Sequence, residues 1–312
     1  MHLTSDRLFR RVRHETAGFT LVEMIVSIVI VGILAAITAL FLRVPFQAYE
    51  DITRRANLTD IADSALRRMA RDLREALPNS VRVSGPGGSG EFYMEFLQVR
   101  TGGRYREEPS GGATACPAGA GIYTDALQIG TVDTCFRSLG AVPNLGSIVT
   151  GASGDFLVVY NLGPGFAGAD AYASGAATGG NKSRITAVTA GAGLNPEDRI
   201  DFQSLSFPLA SPSRRFHVVT GPVTYVCNPT AQTLTRQWGY AISAAQATPP
   251  LGGGAALLAR GVAACNITYN PNAVAQRNGL VSISLAVSQN DVSTGMRESV
   301  SLFSQVQVSN TP

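Results

Sequence analysis

Histidine, lysine and charge are scarce in this 312-residue chain, and each scarcity removes a class of function. Three histidines occur, and His2 and His14 stand in a basic N-terminal segment. The one left, His217, cannot build a His-rich metal site, and no nucleophile elbow surrounds it. It sits beside Arg214, Arg215 and Phe216 in a strand-like stretch, which reads as a surface or half-buried strand histidine. Lys182 is the only lysine, so glycine-rich runs such as GPGGSG (85–90) lack the lysine and Ser/Thr of a phosphate loop. Charged residues make up 15% of the chain and the net charge is +3. Residues 1–18 hold four arginines against Asp6 and Glu15, leaving the rest almost neutral. Bulk electrostatic binding of nucleic acid is not expected. No fixed-period repeat is visible.

What the chain does have is one long apolar run. Residues 17–42 read AGFTLVEMIVSIVIVGILAAITALFL, preceded by Arg7, Arg10, Arg11 and Arg13. From Met24 to Leu42 no charge occurs, and twelve of those nineteen residues are Leu, Ile, Val or Phe. At about 0.3 to 0.6 kcal/mol each they favour membrane insertion by roughly 4 to 7 kcal/mol. Nineteen helical residues span roughly 28 Å, close to the hydrocarbon thickness. Basic flanks stay cytoplasmic, so the chain after about Arg43 is expected on the far side of the inner membrane. An ordinary secretory signal places its small-residue cleavage site after the apolar run; here Ala17-Gly18 stands before it. A plain signal anchor is the alternative, but it needs no acid at Glu23, inside the membrane edge.

These residues resemble the class III signal of type IV prepilins and type II secretion pseudopilins. The resemblance implies cleavage after Gly18, N-methylation of the new terminus at Phe19, and an assembly role for Glu23. It also implies partners: other major and minor pilins, a prepilin peptidase/methyltransferase, an assembly platform with its ATPase, and membrane lipid before assembly. An α+β, pilin-like fold follows, a long N-terminal helix kinked at Pro45 and packed on a C-terminal antiparallel β-rich domain. Its expected boundaries are 1–18 for the leader, 19–44 for the membrane and filament-core helix, 45–78 for its amphipathic continuation and 79–312 for the globular domain.

The four cysteines, Cys116, Cys135, Cys227 and Cys265, all fall in that exported region. An even number there favours two disulfides over a zinc site, since no CxxC pair is present. Four cysteines allow three pairings. Locality favours Cys116–Cys135 and Cys227–Cys265, each closing a loop worth about 3 to 4 kcal/mol. The acidic cluster Glu197, Asp198 and Asp201 lacks EF-hand spacing and reads as a solvated loop rather than a calcium site. No catalytic residue, metal or cofactor is expected.

Beyond Pro45 the helical pattern continues, with an apolar face at Phe46, Tyr49, Ile52, Ala56, Ile61, Ala65, Leu66, Met69, Leu73 and Leu77. The opposite face carries Glu50, Asp51, Asp60, Asp63, Asp72 and Glu75 among six arginines and is expected to be solvated. Glu50–Arg54 and Asp51–Arg55 have the favourable i,i+4 order. Pro78 should end the helix. Strand candidates follow at 81–83, 91–99, 126–129, 155–161, 184–188, 204–207, 215–219, 223–227, 233–238, 262–269, 280–288 and 297–308. Residues 255–260 form a short apolar stretch, and the Gly-rich 163–193 an irregular excursion.

A second resemblance lies in VTYVCNPTAQTLTRQWGY (223–240), with RNGLVSISLAV (277–287), VVYNLGPG and ADAYASG. It is similar to the MshO group of minor pilins of the MSHA (mannose-sensitive haemagglutinin) pilus; the J-type pseudopilin of type II secretion is the nearest rival. It implies a minor pilin at or near a filament tip that helps to start assembly. A tip adhesin binding surface, sugar or DNA is the alternative. An exposed Trp238–Tyr240 pair would favour it, and a buried pair would favour plain core packing.

Overall fold

A computed structural model describes residues 18–88, 90–109, 125–173, 180–193, 196–274, 278–290 and 295–312, with backbone alone at 42–48 and 272–274. Residues 1–17 of the basic leader, Cys116 and 291–294 of the connection at 289–296 lie outside the described residues. The chain divides into two units, one ending at Arg54 and the other comprising Arg55–Pro312.

One 54-residue helix, α1 (Leu21–Arg74), runs from the first unit into the second. It runs through Pro45 as one continuous helix. In the first unit its side chains are exposed wherever they are described, apart from the half-buried Arg54. Leu21–Phe41 is long and apolar enough to cross a membrane.

In the second unit the helix buries one face, formed by Leu58, Ala62, Ala65, Leu66, Met69 and Leu73. These recur at steps that keep to the 3.6-residue period. The expected list drifted off that period. It omitted Leu58 and Ala62, and it included Ile52 and Ile61, which are exposed. The helix also stops earlier than Pro78. Glu75 and Ala76 close on the carbonyls of Asp72 and Leu73, an i→i−3 tightening of the last turn. The Val99 N–H then donates to the Glu75 carbonyl and the Leu77 N–H to the Leu97 carbonyl. Strand pairing ends the helix before the proline can.

Among the described residues twelve strands follow: β1 (Arg82–Ser84), β2 (Phe92–Arg104), β3 (Asp133–Arg137), β4 (Phe156–Val159), β5 (Lys182–Thr189), β6 (Arg199–Leu205), β7 (Arg215–Asn228), β8 (Thr233–Trp238), β9 (Gly254–Arg260), β10 (Val262–Val274), β11 (Asn278–Asn290) and β12 (Arg297–Ser309). Nine form one sheet, ordered β1-β2-β7-β4-β5-β6-β3, with β8 on β7 and β9 on β8. The last three form a second sheet, β10-β11-β12. Every paired strand is antiparallel. The fold class is α+β, with the C-terminal part of the helix packed on antiparallel sheet.

The runs at 215–219 and 223–227 are not two strands but the single strand β7. Gly221-Pro222 reads as a break, yet β2 pairs continuously past it, with a register shift at Gln98/Val99. On the other edge β4 pairs only up to Val219 and β8 only from Val223, so Pro222 stands in the gap between them. A missing N–H is tolerated at such a position. At 126–129 only a bridge from Ile129 to Phe207 forms, while β3 was not anticipated.

The main core joins the helix face to Phe92, Met94 and Phe96 of β2, Val223 and Tyr225 of β7, and the inward residues of β11 and β12. A second core gathers Phe136, Phe202, Phe207 and Phe216 with Leu157 and Ile185.

Candidate processing and assembly site

The site suggested by the sequence begins ahead of the first helical residue. Gly18, Phe19 and Thr20 are non-helical, and Phe19 is 78% exposed. Thr20 caps the helix. Its Oγ1 accepts the Glu23 backbone N–H at 3.2 Å, and its carbonyl accepts the Met24 N–H at 3.1 Å. Thr-x-x-Glu is the capping-box pattern, and its first half is in place. Sequence reasoning passed over Thr20, although the spacing to Glu23 carried the signal. Glu23 lies in the first turn, where the helix dipole favours a negative charge. It has no ion-pair partner among the described residues.

Among the described residues Gly18 meets nothing within 4 Å where a Cβ would stand, and its backbone is not left-handed. Neither space nor conformation among the described residues calls for glycine there. From Leu21 to Phe41 the side chains are exposed, including Ile25, Ile28, Ile33 and Leu40. An apolar helix so displayed, with a lone acid in its first turn and an accessible Gly-Phe bond ahead of it, suits a membrane or a bundle of like helices.

Residues 13–39 match the prokaryotic N-terminal methylation motif. That motif is type IV prepilin-like, and it covers Gly18, Phe19, Glu23 and most of the apolar helix. No curated protein and no solved structure matches the chain. The motif supports a type IV pilin- or pseudopilin-like protein, for which a structural, non-enzymatic role and processing by a prepilin peptidase are implied. The helix and the motif are together consistent with a membrane-anchored pilin.

The other anticipated residues lie in the second unit. Cys227 on β7 and Cys265 on β10 form a disulfide with Cα atoms 6.5 Å apart, tying the two sheets together. Cys135 is buried on β3; its proposed partner, Cys116, is outside the described residues. His217 lies half-buried on β7 with its Nε2 unpartnered. Burial, and then Arg215, push its imidazole down to about 4.

The acidic cluster is not a solvated loop. Arg199 and Asp201 stand on β6, and Asp198 is buried. Asp198 accepts the N–H groups of Gly191 and Val142, Asp201 accepts Arg199, and Glu197 accepts Arg106. These carboxylates already hold structural partners. Trp238 is 38% exposed, whereas Tyr240 is half-buried with its hydroxyl on Thr224. The two do not form an exposed aromatic pair.

Two polar clusters were missed. Asp72, expected on a solvated face, is buried. Its carboxylate pairs with Arg68 at 3.1 Å and Arg236 at 2.6 Å, and accepts the Tyr225 hydroxyl at 2.8 Å. Desolvation and then Asp72 push the Tyr225 hydroxyl up. Glu95 is also buried and takes Arg82 through both oxygens, while Arg82 lies 3.7 Å from the Tyr172 ring centroid. Desolvation outweighs Arg82 and raises the Glu95 carboxyl. Nearer the helix start, Arg55 donates to Glu298 instead of to Asp51, and Arg54 pairs with Asp51 at i,i+3.

Proposed function

We propose that this chain is a minor pilin or pseudopilin, inserted in the bacterial inner membrane with its globular domain in the periplasm and then drawn into a filament. The observation that carries the reading is the methylation motif over 13–39, joined to a Gly18 that the chain's own conformation does not require. A glycine unneeded in cis is explained by a second molecule, a peptidase that reads it. Cleavage before Phe19 leaves the apolar helix on the mature protein, and one apolar surface then serves both bilayer and filament core.

The cut also creates an amine four residues before Glu23, about one helical turn away. An ionised carboxylate in hydrocarbon costs several kcal/mol unless paired. Pairing with the amine of a neighbouring subunit sets the height at which that subunit docks, since few registers satisfy both charges. The likeness of 223–240 to the MshO group favours a place at or near the tip of an MSHA-type pilus and a part in initiating assembly; a J-like pseudopilin of type II secretion is the alternative. A bulky domain of more than 200 residues after Leu77 also suits an end position better than a packed shaft.

Glu23→Ala tests the docking role. Insertion and cleavage should persist, while co-purification and crosslinking with the other pilins should fall. Normal incorporation would remove the docking role, unless the subunit is the topmost one and crosslinks on its lower side alone.

A further inference from the structure

Arg184 and the chain's only lysine share a cavity of about 530 Å³ on the second unit. Phe156 of β4, Lys182 and Arg184 of β5, Thr220 and Gly221 of β7, and Tyr240 after β8 line it. No carboxylate is among its lining residues. Two cations from one strand therefore face a concavity with nothing in its wall to neutralise them.

Both are held in place by groups that leave their charge unspent. The Arg184 guanidinium lies over the Phe156 ring, 4.1 Å from its centroid, and donates through one nitrogen to the Gly154 carbonyl. No carboxylate pairs with Arg184 among the described residues, so N–H groups of its planar fork remain for a bidentate acceptor. Lys182 donates to the Ala173 carbonyl and likewise has no ion pair among the described residues. Burial lowers its amine to about 8, with Asp170 opposing the shift. A desolvated cation with no ion-pair partner among the described residues is a standing cost that an incoming anion relieves.

The remaining wall narrows the ligand class. Thr220 and Tyr240 bring hydroxyl-bearing side chains to it and Phe156, Pro222, Ala241 and Ile242 apolar ones, a mixed wall that suits the polar edge and apolar face of a sugar ring. We propose that this cavity binds a carboxylate-bearing sugar, a uronate, with its carboxylate on Arg184 and Lys182 and its ring against Tyr240 and Thr220. The proposal is independent of the filament reading, and either can fail without the other.

Lys182 supplies the assay, because in peptides beyond the N-terminus every amine label reports on it alone. The full-length protein in detergent is labelled at pH 8 with a limiting amine-reactive reagent, and the Lys182 peptide is followed by mass spectrometry. The probes are sodium glucuronate, glucose, and sodium chloride at matched ionic strength. A carboxylate beside the amine should raise its pKa by roughly one unit, taking the neutral fraction from about a half to about a tenth. Labelling should slow about fivefold with glucuronate and stay unchanged with glucose or chloride. Arg184→Gln, checked for native Trp238 fluorescence, should lose the protection. Equal rates with and without glucuronate in the wild-type protein would overturn the proposal, as would equal slowing by chloride.

Discussion

Removing the Asp72 carboxylate should unfold the second unit far more readily than removing any other acid on the same helix. Asp72 is 2% exposed and Arg236 is largely covered as well. Asp72→Ala leaves the Arg236 guanidinium with only the Gln98 amide oxygen at 2.9 Å, and the Tyr225 hydroxyl without its acceptor. Breaking a buried pair from one side costs about 3 to 5 kcal/mol. Arg68 adds little, being half-exposed. Asp63→Ala is the matched control, since its bridge to Arg67 at 2.7 Å is exposed on both sides and should count for less than about 1 kcal/mol. Trp238 is the chain's only tryptophan and lies 5.2 Å from the Arg236 guanidinium. Its emission during urea unfolding therefore reads this region directly. Asp72→Ala should lower the urea midpoint strongly, and Arg236→Ala combined with it should add less than its separate cost. Equal midpoints for Asp72→Ala and Asp63→Ala would refute the buried-pair argument.

Reducing the Cys227–Cys265 bridge, or replacing both cysteines by alanine, should cost about 4 kcal/mol for a 38-residue separation, read from the same urea curves. Non-reducing peptide mapping should find that link and, on the locality argument, a second one between Cys116 and Cys135. His217 should make stability acid-sensitive. Its pKa is lowered to about 4, so between pH 6.5 and 4 the unfolded chain binds a proton that the folded chain refuses. Stability is then lost as pH falls through that window, by up to about 3 kcal/mol, and His217→Gln should flatten the loss.

The parts of the molecule that sequence made legible are those governed by local pattern. Nineteen uncharged residues behind Glu23 can only be a long apolar helix, and alternating runs such as 280–288 announce half-buried strands. What stayed hidden depends on distant neighbours. Asp72 looks like its exposed helix companions until Arg236, 164 positions later, closes over it. Pro222 looks like a strand end until β4 and β8 are seen to leave it a gap. Asp198 and Asp201 read as a loop because nothing nearby in sequence reveals the Val142 N–H or the β6 pairing. At the N-terminus the reverse holds. Gly18, Phe19 and Glu23 are legible as a motif, and the Thr20 cap is legible in the same stretch from its three-residue spacing to Glu23.

The most direct measurement is the mature N-terminus of the protein purified from the native membrane or filament. Mass spectrometry should find a chain that begins at Phe19, carries one added methyl, and retains the whole apolar helix. In cells carrying Gly18→Val the full-length precursor should accumulate, still inserted, because that position has open space around it and lies outside the helix. A mature chain beginning beyond Leu42, or an unmodified chain still carrying residues 1–18 in a strain with an active prepilin peptidase, would contradict the account.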